Sequence, residues 1–296
     1  MKKIAFSEHS ITPEFIKFTQ SDSKSMNMEI AGIDIEILAL TASFVVNELD
    51  RNIAAQLSSK LNDFLAEEIS INPGRYRGLA NLSLQNPRTA AAELDRCIRD
   101  YKFVGGLINP PNDRYLSGEQ FFPFWEKVQE LDVPIYLSNG NSSRITQRKD
   151  PDAPDKAILK WSPNHTEQIL HMVFGGSFDR FPKIKLILGG MGEMIPYLLW
   201  QLENFWAVLH FPKIIKKRPD EYLKDNIYIT TSGISSEILL QCAIEVLGEK
   251  GILFSVNKPN EISEIDAHYI ENGPISNTLR EMIFHKNAES ILRLNN

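Results

Sequence analysis

Residues 178–200 read FDRFPKIKLILGGMGEMIPYLLW. A short, mostly apolar run at 184–188 ends at Gly189-Gly190. A stretch from 193 to 206 then carries Ile195, Leu198, Leu199, Leu202 and Phe205 at helical spacing. An apolar run bounded by glycine predicts a buried strand, and recurrence at three and four residues predicts an amphipathic helix. Strand, glycine turn and helix in that order make the unit of a parallel sheet, because parallel strands need a crossover connection.

The unit recurs along the chain in both directions. Further strands are predicted at 4–7, 34–40, 75–82, 103–108, 133–137, 227–231 and 251–254. Helices are predicted at 47–68, from Pro87 through Ile98, and at 116–131, 166–174 and 237–247, with two or three short ones closing the chain. The polar, Pro- and Asp-rich stretch 138–163 is the longest predicted loop. Eight strands in 296 residues fit a closed (β/α)8 TIM barrel, one domain over 1–296, with extra C-terminal helices. Chemistry in such barrels sits where strands end, which directs attention to Ser7-Glu8-His9, Thr41, Asn109, Ser138, Gly189-Gly190, Thr231, Asn257 and Lys258.

Composition narrows the function class. The formal net charge is −6, so the clustered Lys and Arg that phosphate neutralisation needs are lacking and nucleic acid is not an expected partner. The densest basic run, Lys213, Lys216, Lys217 and Arg218, reads as a solvated face. Cys97 and Cys242 lie far apart in apolar helical patterns and read as buried free thiols of a reducing compartment. No stretch approaches 18 apolar residues, and the opening KKIAF is too short for a signal peptide. The expectation is a cytoplasmic protein with no membrane partner.

The strand-end segments carry a resemblance. Residues 3–9 (KIAFSEH) are similar to an opening strand KVALEEH, 82–87 (LSLQNP) to LPLQDP, and 105–109 (GGLIN) to the end of GFVGALVN. Phe124-Trp125 with 131–137 (LDVPIYL) resembles PFW…LDVPFYL, and 178–200 resembles FDEHPRLNIILGHMGEGLPYMMW. Residues 228–233 (YITTSG) are similar to HITTSGN, and 252–255 (ILFS) to the start of ILFSTDWP. These are segments of the amidohydrolase-related (amidohydrolase 2) family, as seen in gamma-resorcylate and 2,3-dihydroxybenzoate decarboxylases and, more remotely, aminocarboxymuconate-semialdehyde decarboxylase. The similarity runs nearly the whole chain in order.

What the resemblance implies for the site is less direct. The family holds a divalent metal with an acidic or His residue and a second His on the first strand, a His after the fifth and an Asp after the eighth. A further His after the sixth acts in acid–base chemistry. Carried over, these positions fall on Ser7, His9, Ser138, Asn257 and Gly190. An Arg that holds the substrate carboxylate in some relatives falls on or near Phe205. Of the four ligand positions only His9 keeps a strong ligand, and a divalent ion needs several to repay its dehydration. The expectation is a degenerate site with no metal and no other cofactor.

His9, Asn257 and Lys258 are then the expected catalytic residues, Lys258 as a base or Schiff-base nucleophile. Ser7, Ser138, Asn109 and Thr231 are the expected substrate-binding residues. Each has a plainer reading: a hydrogen-bonded strand-end His for His9, a surface loop lysine for Lys258. His165 follows the long loop and could reach the pocket mouth. Glu193 reads as structural, a carboxylate favoring a helix N-terminus.

Three functions are weighed. The first is altered, metal-independent lyase, isomerase or cyclase chemistry on a small aromatic or acidic molecule, which the polar Ser, Ser and Asn lining favors. The second is a silent subunit paired with an active paralogue, and the third a metal-dependent decarboxylase or hydrolase with a displaced metal. A homo-oligomer, or a hetero-oligomer with a related barrel, is expected, with Trp200, Phe205 and Trp206 available for packing.

Overall fold

A computed structural model of the chain describes residues 1–10, 32–41, 50–111, 114–138, 163–208, 215–231, 236–257 and 263–294. The side chains of residues 8–10, 41, 163–164, 257 and 263–267 also lie outside the described set. Nine strands are described: β1 Ile4–Ser10, β2 Ile35–Thr41, β3 Tyr76–Leu82, β4 Gly105–Ile108, β5 Ile135–Leu137, β6 Leu186–Leu188, β7 Ile227–Thr230, β8 Ile252–Leu253 and β9 Ser255–Asn257. All pair in parallel, in the order β8-β7-β6-β5-β4-β3-β2-β1-β9.

β8 and β9 are halves of one strand interrupted at Phe254. Ile252 and Leu253 are in register with Ile229 and Thr230 on one side. Ser255, Val256 and Asn257 are in register with Phe6, Ser7 and Glu8 on the other. The eighth strand therefore joins β7 to β1 and closes the barrel, as expected from the sequence. Phe254 is bound on both sides of this seam: its carbonyl accepts from Phe6 N–H (3.1 Å) and its own N–H donates to Ile283 O (3.1 Å).

The helices are α1 Arg51–Ile71, α2 Pro87–Asp100, α3 Phe122–Leu131, α4 Pro163–Phe174, α5 Ser177–Arg180, α6 Ile195–Val208, α7 Pro219–Asn226, α8 Glu237–Leu247, α9 Ser263–Asn272, α10 Asn277–Glu281 and α11 Asn287–Leu292. Local chemistry sets their ends. Asp50 caps α1 by accepting from Asn52 N–H (2.8 Å). α1 buries Ala54, Ser58, Leu61, Asn62, Leu65 and Glu68, the spacing of one helical face. Asn86 caps α2 ahead of Pro87, whose missing N–H costs nothing in the first turn.

Strand alternation sorts the core into two layers. Leu38, Leu40, Ala80, Leu82, Ile108, Ile135, Leu137, Leu186, Leu188, Ile227 and Ile229 share a cluster with the helices. Ile4, Phe6, Ile37, Ala39, Leu79, Leu107, Tyr136, Ile187 and Leu253 form a separate one inside the barrel, joined at its N-terminal end by Ala288 and Leu292 of α11. No helix among the described residues is long and apolar enough to cross a membrane. Cys97 is buried as expected, but Cys242 is only half-buried. Trp200 and Phe205 are exposed on α6, whereas Trp206 packs against the core.

Candidate active site at the C-terminal mouth of the barrel

The lumen has an apolar floor. Phe6 on β1 and Tyr136 on β5 stand four strands apart in the ring, and their side chains meet across it with centroids 6.3 Å apart. Two residues further along each strand, alternation places polar side chains above that floor: Asn109 after Leu107, Ser138 after Tyr136 and Ser255 after Leu253, all buried. Thr230 joins them, and a Cβ built on Gly189 would lie 3.1 Å from Tyr136 Oη and 4.0 Å from Thr230 Oγ1. The result is a polar ring over a hydrophobic base, at the end where a TIM barrel places its chemistry.

Not every member of the ring is free to meet a ligand. Asn81, two residues beyond Leu79, donates to Leu40 O (2.7 Å) and accepts from Ser58 Oγ (3.1 Å). Asn62 further clamps its backbone. Asn81 is thus spent on joining α1 to β2 and β3. Asn109 differs: neither its Oδ1 nor its Nδ2 has a partner among the described residues, although both are buried. Ser83 Oγ is in the same state. Buried polar atoms of this kind are costly unless something satisfies them.

The expected binding residues are only partly brought together. Asn109 and Ser138 stand in the ring. Thr231 does not: its Oγ1 accepts from Ser255 N–H (3.3 Å) and its N–H donates to Leu253 O, so it holds the seam, and its neighbor Thr230 takes the lumen position. Ser7 is displaced for a similar reason. Phe6 occupies the lumen, so alternation puts Ser7 in the opposite row, in register with Leu38 and Val256 of the helix-facing layer. His9 is in register with Leu40, and Asn257 with Glu8. The side chains of His9 and Asn257, and Lys258 and most of the stretch 138–163, lie outside the described residues.

The residues that sequence reasoning undervalued are His165 and Glu193. His165, in the first turn of α4, is buried, and its Nδ1 lies 2.8 Å from Glu193 Oε1. Its Nε2 lies 3.2 Å from the carbonyl of Ser138 at the end of β5. A carbonyl can only accept, so Nε2 carries a proton, and Nδ1 faces a carboxylate oxygen. A second proton lies between His165 and Glu193. Side-chain exposure is only 4% for His165 and 6% for Glu193, which makes this a desolvated pair.

Glu193 is not the helix-start carboxylate expected from the sequence, since α6 begins two residues later. It ends a run in which Gly190, Met191, Gly192 and Glu193 all have positive φ. At φ 54°, ψ −115°, Glu193 lies outside the left-handed helical well, in territory that costs a non-glycine residue roughly 1–3 kcal/mol. The run turns the Glu193 carboxylate to His165. At Gly190, where the resemblance places an acid–base His, a Cβ would meet nothing within 4 Å.

Among the described residues no three His, Cys, Asp or Glu side chains stand together as cation ligands. The described part of the mouth therefore does not make a metal site by itself, and the strand ends carrying His9 and Asn257 are the positions left to hold one.

Comparison with known proteins places these features in context. A family model described as Amidohydrolase matches residues 16–294. The chain is 37% identical over 289 residues to a gamma-resorcylate decarboxylase of Polaromonas sp. strain JS666, covering 93% of this chain and 87% of that protein. A solved 2,6-dihydroxybenzoate decarboxylase in complex with 2,6-dihydroxybenzoate superposes with a TM-score of 0.83 at 29% identity, with both chains fully covered. A dihydroxybenzoic acid decarboxylase from Polaromonas sp. JS666, with bound manganese and the inhibitor 2-nitroresorcinol, superposes at 0.81 with 32% identity, covering 100% of this chain and 98% of that one. The expectation of a cofactor-free site is corrected by this last structure, which points to a divalent metal. The metal-independent and silent-subunit readings likewise find no support in relatives that are decarboxylases.

Proposed function

This chain belongs to the amidohydrolase family, and from that premise we propose that it decarboxylates a small aromatic carboxylic acid at the C-terminal mouth of its barrel, with a divalent cation as cofactor. The observation that carries the reading is similarity to a gamma-resorcylate decarboxylase over 93% of the chain. The geometry supports it. An apolar floor with Phe6 and Tyr136 suits the face of an aromatic ring, and a ring of Asn109, Ser138, Thr230 and Ser255 suits polar substituents at its edge.

When bound, a divalent cation supplies Lewis-acid polarization of the substrate's oxygen atoms. The chain's own residues do the rest. The apolar floor excludes water beneath the ring, which strengthens the hydrogen bonds made above it. Asn109 offers one amide donor and one amide acceptor, both uncommitted. The His165–Glu193 pair keeps a proton buried between its two side chains beside the end of β5.

The test is turnover of 2,6-dihydroxybenzoate by protein loaded with manganese, followed by loss of its ultraviolet absorbance and release of carbon dioxide. Activity should fall on chelation and return with manganese. Stoichiometric metal with no turnover of any hydroxybenzoate tried would overturn the reading.

A further inference from the structure

Glu193 Oε1 is committed to His165, and Oε2 is buried with no partner among the described residues. A carboxylate oxygen in that position lowers stability unless a donor reaches it. The strained run 190–193 is what puts it there, because Glu193 N–H donates back to Gly190 O (3.1 Å) and fixes the turn. Strain of this kind persists only where the surroundings impose it, and it concentrates at functional sites. The space beyond Gly190 is open, so a donor carried on a ligand has room to enter beside this oxygen.

The charge of the pair decides which donor. One proton lies between His165 and Glu193, so the imidazolium and carboxylate together are close to neutral. A cationic ligand gains little from such a pair, and an anionic group finds no donor on Oε2. A neutral O–H gains a charge-assisted hydrogen bond.

We propose that Glu193 Oε2 is the hydroxyl-recognizing atom of this site, accepting a hydrogen bond from a ring hydroxyl of the aromatic acid. His165 is the positioning residue that holds the carboxylate in place from the end of β5. The proposal rests on the aromatic-acid reading above and narrows it to phenolic acids.

Calorimetric binding to the manganese-loaded protein tests it, with 2,6-dihydroxybenzoate and unsubstituted benzoate as probes. The readout is the ratio of the two Kd values in the wild type, Glu193→Gln and His165→Asn. The wild type should prefer the dihydroxy acid by about tenfold or more, which is the size of one good hydrogen bond. Glu193→Gln should cut that ratio by about tenfold and leave benzoate unchanged, and His165→Asn should cut it less. If Glu193→Gln does not fold, Glu193→Asp, which withdraws the oxygen by one methylene, should show the same loss. A wild type that binds neither probe defeats the aromatic-acid reading itself. A wild-type preference left intact in the Glu193 variants, or equal weakening of both probes, defeats the hydroxyl assignment alone.

Discussion

Two glycines of the strained run, two residues apart, should respond very differently to the same substitution. Gly190 has φ +57° and open space at its Cβ position. Alanine there suffers only the left-handed backbone penalty, about 1–2 kcal/mol. Gly192 has φ +78°, and its Cβ would lie 2.7 Å from Ile229 Cγ2 and 3.6 Å from Pro196 Cδ. Ile229 is fully buried in β7 and β-branched, so its methyl cannot swing aside. Overpacking adds about 1–3 kcal/mol to the backbone cost, giving roughly 2–5 kcal/mol in total for Gly192→Ala. Urea unfolding, followed through the four tryptophans, measures both variants. Ile229→Ala should rescue much of the Gly192→Ala loss in a double-mutant cycle and none of the Gly190→Ala loss. Equal midpoints for the two alanine variants, or no coupling to Ile229, would refute this account of how the turn before Glu193 is packed.

Other consequences can be measured in the same way. Breaking the His165–Glu193 pair with either His165→Leu or Glu193→Leu should cost about 3–5 kcal/mol, while the double variant should cost less than either alone; additive losses would show that the two are not coupled. Tyr222 Oη donates to Asp179 Oδ1 (2.6 Å) and accepts from the N–H groups of Lys216 and Lys217, both at 3.0 Å. Tyr222→Phe should therefore lower stability by roughly 1–3 kcal/mol in denaturant titration, since two backbone donors are stranded. A hydrogen bond from Arg99 holds the Asp95 carboxyl below its ordinary range. The folded chain thus keeps Asp95 ionized to lower pH than the unfolded chain, and the contribution is present at neutral pH and lost as pH falls through the folded value. The stability gap between the wild type and Asp95→Asn should be small at pH 7 and close in acid.

The barrel was legible because its signal is local. Each strand–turn–helix unit declares itself through the spacing of apolar residues and a glycine, as at 184–206. Strand ends were harder. β1 runs to Ser10 rather than stopping at residue 7 because β2 continues to pair with it as far as Thr41. The same extension, with Phe6 in the lumen, moves Ser7 out of the site that family resemblance gave it. Thr230 and Thr231 are chemically identical neighbors, and only the register of β7 against the eighth strand tells which one faces inward. The His165–Glu193 pair spans 28 residues and depends on a methionine and a glutamate adopting positive φ. Neither residue type favors that conformation, so nothing in the residue pattern advertises it.

The closing seam has a consequence for how the molecule is made. Residue 6 finds its partner only at residues 254–255, and Asn287 Nδ2 donates to the carbonyls of Glu249 and Ile252 (2.8 Å each) on the same strand. A nascent chain still on the ribosome displays a half-cylinder with bare backbone edges, the condition that invites pairing with a stranger. The amino-terminal strand is synthesized first and satisfied last, so stalled or shortened translation products of this gene should be clients of chaperones and proteases rather than stable fragments.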